Sequence, residues 1–203
     1  MALLELLVWA GTITFAATGA LVAVKKRFDL VGVLVLASVT AIGGGSIRDV
    51  IVGSLPPASF QNEPLLWVVA ATGVVTFYAH RHVKSEGKLL YALDTLGLAI
   101  FAALGAERGL SFGMGIWGTV FAGAVSGVGG GVLRDVLSGQ IPGIFYRSGD
   151  FYASAAAAGA LAVYLLYSLS PELALLAGVT VTLGMRVGSR LLGLKLPVPR
   201  EEP

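Results

Sequence analysis

Two copies of a short motif hold most of the residues able to do chemistry in this chain. Gly43-Gly44-Gly45-Ser46-Ile47-Arg48-Asp49-Val50 and Gly129-Gly130-Gly131-Val132-Leu133-Arg134-Asp135-Val136 match at an offset of 86 residues. Three successive glycines inside an apolar helix cost about 1 kcal/mol each relative to alanine, and lipid cannot satisfy the backbone groups they free. Two readings offset that cost. One is a break or kink facing a hydrated cavity, where freed carbonyls bind a cation; the other is close packing through small residues, as in Gly123-x-x-x-Gly127 and Gly127-x-x-x-Gly131. A helix that packs on one side and opens on the other satisfies both. The ion pair after each glycine run, Arg48-Asp49 and Arg134-Asp135, is of a kind that at membrane depth faces a bundle interior or water. Such a pair either shapes the electrostatics of a solute path or acts as a clamp from arginine to aspartate or carbonyl. Depth matters here: a straight helix from Leu30 carries Arg48 about 27 Å along its axis, where snorkelling suffices. A glycine break would leave it deeper.

Asp94 is a further buried-looking acid, placed either as a first-turn carboxylate at a helix N-terminus or as a cation-attracting group at an inner mouth. Thr40, Ser46 and Ser126 are candidate polar lining, with Thr12, Thr14 and Thr18 beside them, although hydroxyls in such helices often bond their own backbone. Enzymatic chemistry has no foothold. Gly113-x-Gly115-x-x-Gly118 fits the dinucleotide fingerprint literally, but no βαβ unit surrounds it. The glycine triplets lack the lysine of a phosphate loop, and no Ser, His and Asp set forms a triad. With no cysteine and two histidines, His80 and His82, at a basic edge, no metal centre or cofactor is expected.

The elements that must position these residues are set by composition. Of 203 residues 56% are hydrophobic and 13% charged, against about 25% charged in soluble domains, so the solvent for most of the chain is a bilayer. Seven apolar runs, near 3–24, 30–51, 64–81, 89–106, 112–137, 151–169 and 171–192, are long enough to cross a hydrocarbon core of about 30 Å. Glu5 near its start and the absence of a basic leader make the first run a retained helix rather than a signal peptide. Trp67, Tyr78, Tyr146, Tyr152, Tyr164 and Tyr167 fall near helix ends, as in an aromatic belt. Lys25, Lys26, Arg27, Arg81, Lys84, Lys88, Arg147, Lys195 and Arg200 group in alternate loops, opposite Arg108 and the border residue Arg48. The positive-inside rule therefore puts the N-terminus outside and the C-terminus in the cytoplasm. The cations sit in short clusters between apolar runs, so nucleic acid is not an expected partner.

The offset of 86 extends beyond the motifs: Phe15 pairs with Phe101, Gly19 with Gly105, Gly32 with Gly118, Gly53 with Gly139, Pro56 with Pro142 and Gly73 with Gly159. The expected fold is an all-α integral membrane domain over 1–203, with repeat one at 4–82, repeat two at 90–168, a seventh helix at 171–192 and a short cytoplasmic tail at 193–203. Three crossings per unit invert the second unit relative to the first, which gives a pseudo-two-fold axis in the membrane plane and a natural solute path along it.

The duplicated GGGSIRD and GGGVLRD motifs, the stretch DTLGLAIFAALGA from Asp94 to Ala106, and the three-plus-three-plus-one layout resemble the prokaryotic trimeric intracellular cation (TRIC) channels. That group is also described as a glycine-transporter-like, or UPF0126, domain. The resemblance covers nearly the whole chain. It implies a homotrimer in contact with membrane lipids, with lipid as a candidate ligand, in a prokaryotic plasma membrane. It also implies an ion path inside each protomer beside glycine-kinked helices, permeated by K⁺ and Na⁺. A carrier of glycine or another small solute is the competing class, since inverted repeats suit an alternating midplane site as well as a channel.

Overall fold

The computed structural model describes residues 2–82, 86–145, 151–194 and 196. Among these the chain is helical, without strands: α1 (Ala2–Lys25), α2 (Leu30–Val52), α3 (Ala58–Gln61), α4 (Glu63–Ala79), α5 (Glu86–Ser111), α6 (Ile116–Leu137), α7 (Ala153–Leu166) and α8 (Pro171–Leu191). Local chemistry sets the boundaries. Asp29, Asn62 and Ser170 each accept a bond from the backbone N–H three residues on, in Gly32, Leu65 and Leu173, and Pro64 and Pro171 occupy first turns where no amide donor is required. Gly113, at φ 72°, forms the turn from α5 to α6, so the literal dinucleotide fingerprint is a helix connection.

Five helices, α1, α2, α5, α6 and α8, are long and apolar enough to cross a membrane. α4 and α7 are apolar but shorter, at 17 and 14 residues, or about 26 and 21 Å against a core of about 30 Å. The seven expected runs thus fall on seven apolar helices with shifted ends. The four-residue α3, behind Pro57, was not expected, and α5 starts at Glu86 rather than 89. Polarity is distributed as lipid requires. Trp67, Trp117 and Leu191 are 74%, 82% and 81% exposed on the outside, while Thr12, Thr18, Thr40, Asp49, Thr119 and Thr182 are wholly or almost wholly buried.

Packing follows the duplicated sequence. α1 packs on α2 and α4, and α2 on α4, just as α5 packs on α6 and α7, and α6 on α7; α1 against α5 and α2 against α6 join the two sets. Even single contacts repeat. A Cβ on Gly19 would meet the Leu36 carbonyl oxygen and Ala37 Cα at 2.5 and 2.9 Å, and one on Gly105 would meet the Ala122 carbonyl oxygen and Gly123 Cα at 2.8 and 2.9 Å. After both Arg-Asp pairs the helix ends in a left-handed glycine, Gly53 at φ 78° and Gly139 at φ 70°. Behind them Ser54 donates to the Asp49 carbonyl and Gln140 to the Asp135 carbonyl, both at 2.8 Å. α8 breaks the correspondence, because it packs on α5 and α7 and has no counterpart beside α1 and α4.

Candidate functional site

The two motifs frame two polar clusters at opposite ends of the bundle. In the first, Arg48 donates from Nε (3.0 Å) and Nη2 (2.8 Å) to Asp49 Oδ1, and from Nη1 to Ser126 Oγ on α6 at 3.2 Å. Asp49, fully buried, accepts the Ala58 amide at its other oxygen (2.9 Å) and so ties α2 to α3. Arg108, near the end of α5, approaches Asp49 at 3.9 Å and donates to Ser54 Oγ at 2.9 Å. The C-terminal ends of α2 and α5 therefore lie together. Over them opens a cavity of about 530 Å³ whose lining includes the polar side chains of Arg48, Arg108, Glu107, Glu5 and Asn62 together with Thr12, Gly45 and Phe101.

The second cluster centres on Asp94. Arg134 Nη1 donates to Asp94 Oδ1 at 2.7 Å while its Nε reaches Asp135 Oδ1 at 2.9 Å. Arg186 of α8 pairs with Asp94 Oδ2 at 2.8 Å, and the Tyr152 hydroxyl donates to Oδ1 at 3.4 Å. Asp135 accepts the Gly143 amide at 3.2 Å, as Asp49 accepts that of Ala58. Arg186 also lies over the rings of Tyr152 and Tyr91, at 4.3 and 5.2 Å. A smaller cavity, about 160 Å³, lies between Asp94, Gly131, Arg134, Tyr152 and Arg186. Here the ends of α6 and α8 meet the early turns of α5 and the start of α7. Asp94 and Arg108 stand fourteen residues apart on α5, so the clusters are separated by roughly 21 Å along it. α2 and α6 thus run in opposite directions.

The glycine triplets do not break their helices: α2 and α6 run uninterrupted through both. They divide their duties instead. A Cβ on Gly44 would strike the Ser126 carbonyl oxygen, one on Gly130 the Thr40 carbonyl oxygen, and one on Gly129 would come within 3.0 Å of Gly44 Cα, while Gly43 faces the Leu133 side chain. Gly44, Gly129 and Gly130 let two backbones touch where a side chain would separate them, and Gly43 makes room for Leu133. Gly45 and Gly131 look the other way, into the larger and smaller cavities. Helical hydrogen bonding therefore remains intact, and no run of freed carbonyls faces a cavity.

Other expectations also need correction. Asp94 is the ninth residue of α5 rather than a first-turn group, because the helix begins earlier than its apolar run. Thr40 and Ser46 donate to the carbonyls of Leu36 (2.6 Å) and Ile42 (2.8 Å), so their hydroxyls are spent on their own helix. Ser126 alone of the three reaches across. Tyr152 turns inward to Asp94 instead of joining a belt. His80 bonds the Phe77 carbonyl at 2.6 Å; the side chain of His82, along with Lys84, Tyr146, Arg147, Lys195 and Arg200, lies outside the described residues. Arg186, Tyr152 and Glu107 went unread as site residues. For Arg186 a signal existed, an arginine within a membrane-length helix.

Comparison with known proteins gives a consistent picture. A family model described as glycine transporter matches residues 5–81 and again 91–168. A UPF0126 membrane protein of Deinococcus radiodurans is 44% identical over 94% of this chain and 89% of its own. The UPF0126 inner membrane protein YadS of Escherichia coli is 37% identical over 92% and 91%. Among solved structures, the TRIC trimeric intracellular cation channel orthologue from Rhodobacter sphaeroides superposes with a TM-score of 0.89 at 36% identity, covering 96% of this chain and 100% of that one. A structure from a study of conductance through TRIC cation channels gives 0.88 at 35% identity, with 98% of both chains covered.

Proposed function

The chain belongs to the UPF0126 family of membrane proteins, and on that premise we propose that it is a potassium-permeable channel for monovalent cations, a homotrimer with one path inside each protomer. The observation that carries this reading is the pair of cavities. Each opens at one end of the same bundle, each is framed by one copy of the glycine-Arg-Asp motif, and α5 contributes to the lining of both. Likeness over almost the entire chain to solved cation channels supports it. In this reading two inverted three-helix units, 4–82 and 90–168, and a seventh helix, 171–192, cross a prokaryotic plasma membrane. The N-terminus is outside and the tail from 193 is cytoplasmic. The Asp94 cluster then lies at the inner mouth and the Arg48 cluster at the outer one. Each arginine is neutralised by at least one aspartate, which lowers the barrier that an unpaired positive charge would raise against cations. No enzymatic step is part of the proposal.

The glycine-transporter description of the matching model keeps a second reading in view. A carrier would use the same cavities alternately, with Arg48, Arg108 and Glu107 offering both charges to a zwitterion. Purified protein in liposomes separates the two. A channel passes K⁺ down its gradient without accumulating labelled glycine; glycine uptake without K⁺ flux would overturn it.

A further inference from the structure

Between the cavities the duplicated sequence places one more matched pair, Phe15 of α1 and Phe101 of α5. Their ring centroids are 5.2 Å apart at an interplanar angle of 32°, and both side chains are buried, at 1% and 8% exposure. Each ring is seated on the partner helix at a glycine that is itself duplicated at the same offset. A Cβ on Gly11 would meet the Phe101 ring at 3.2 Å, and one on Gly97 would strike the Phe15 ring. The contact is therefore reciprocal about the pseudo-two-fold axis. Phe101 lines the larger cavity, together with Thr12 and Gly45. Phe15 abuts Gly130, at 3.3 Å from its Cβ direction, one residue before the Gly131 that lines the smaller cavity. The polar clusters at both ends thus lead to one apolar contact in the middle.

We propose that Phe15 and Phe101 together form the barrier to permeation, a hydrophobic plug on the pseudo-symmetry axis that must separate before water and ions can connect the two cavities. The inference rests on the conduction reading but names a residue pair outside the charged motifs. Two buried rings in contact leave no polar group for water between them, and an apolar constriction stops ions by denying them hydration rather than by charge. The glycine seats matter because they let the rings fill the axis without prying α1 from α5. A plug placed where the two repeats are related by symmetry also presents the same barrier from either side.

The test exploits the lack of cysteine in the chain. Val132, which lines the smaller cavity, is replaced by Val132→Cys, and a membrane-impermeant thiol reagent is added from each side of oriented vesicles. With the phenylalanines present, labelling is expected only from the face on which the smaller cavity opens. Adding Phe15→Ser and Phe101→Ser should permit labelling from both faces, and in the cysteine-free background should raise K⁺ flux by about tenfold or more. Phe101→Ala alone, a milder change, serves if the double variant is not recovered as a monodisperse membrane protein. Two-sided labelling without any K⁺ flux would uphold the plug while overturning the cation-channel reading. Labelling that stays one-sided in both variants, with flux at the wild-type level, would overturn the plug.

Discussion

The end of α2 and the end of α6 carry the same motif, the same left-handed glycine and the same aspartate-to-loop hydrogen bond, yet they build different sites. At α2, Arg48 holds its own neighbour Asp49 and one serine, and looks into a cavity of about 530 Å³. At α6, Arg134 is shared between Asp135 and Asp94, a second arginine arrives from α8, and only about 160 Å³ remains open. Two sequence differences account for this. The position matching Asp94 in the first repeat is Val8, and the first repeat has no helix corresponding to α8. Duplication thus supplies the frame, and two local departures turn one copy into a closed, four-element ion cluster while leaving the other an open vestibule.

The largest effect should come from removing the centre of the closed cluster. Asp94→Asn leaves Arg134 and Arg186, both more than nine-tenths buried, without their shared anion, and breaking a buried ion pair from one side costs about 3–5 kcal/mol. Asp49→Asn takes the anion from Arg48 and from the more distant, partly exposed Arg108 (3.9 Å), beside a cavity that water can enter, so a cost of about 1–3 kcal/mol is expected. Thermal unfolding of the two variants in the same detergent compares them. Equal losses would mean that the second arginine and the loss of water access do not distinguish the two ends.

A middle-sized effect tests the frame that the copies share. Gly44→Ala and Gly130→Ala each drive a Cβ into the carbonyl of the facing helix, Ser126 in one case and Thr40 in the other. Overpacking of this kind costs about 1–3 kcal/mol, and it should be alike for both. The third glycines should differ. Gly45→Ala has only the Arg48 guanidinium at 3.6 Å and Ser59 Oγ at 4.0 Å, ordinary contacts, so the helix preference of alanine should leave it neutral or stabilised by up to about 1 kcal/mol. Gly131→Ala meets the Tyr152 hydroxyl at 2.5 Å and should destabilise by disturbing the Asp94 cluster. The same thermal assay ranks all four, and a stable Gly130→Ala would refute backbone contact as the reason for the triplet.

These contrasts also show what the sequence could reveal. The helices were legible because apolar runs of membrane length are separated by short polar interruptions, and α3 was missed because four residues after a proline carry no periodicity. The repeat was legible because glycines must stay glycines where two backbones touch. That same fact left their purpose open between a break and a close contact: a costly residue signals a constraint, and contact satisfies it without any break. Asp94 could be singled out but not paired, since its partners lie 40 and 92 positions away. Symmetry offered no help either, because Val8 stands at the matching place and Arg186 has no counterpart at all.

The smallest effect sharpens the comparison from the other side, by giving the open end the group that the closed end has. Val8 lines the larger cavity with Arg48 and Arg108 and stands at the position equivalent to Asp94. Val8→Asp therefore sets a carboxylate in a vestibule that already holds two arginines. Because water reaches this cavity, the new charge keeps much of its hydration, and the change in stability should stay within about 1 kcal/mol, as for ion pairs at wet sites. Its influence on permeation should be larger than on folding. An added negative charge at a mouth raises local cation concentration, and exposed charges act within a screening length of about 8–10 Å at physiological salt. K⁺ flux through the variant should therefore rise by a few-fold at low ionic strength and return toward wild type as salt is raised, provided that the carboxylate remains free. Should it instead lock onto Arg48 and Arg108 as Asp94 locks onto Arg134 and Arg186, flux should fall and the melting temperature should rise together. Flux measured in reconstituted liposomes at two salt concentrations, alongside thermal unfolding, distinguishes these outcomes. A variant unchanged in both would show that the Val8 to Asp94 difference does not separate the two ends, and would leave α8 with its Arg186 as the source of the asymmetry.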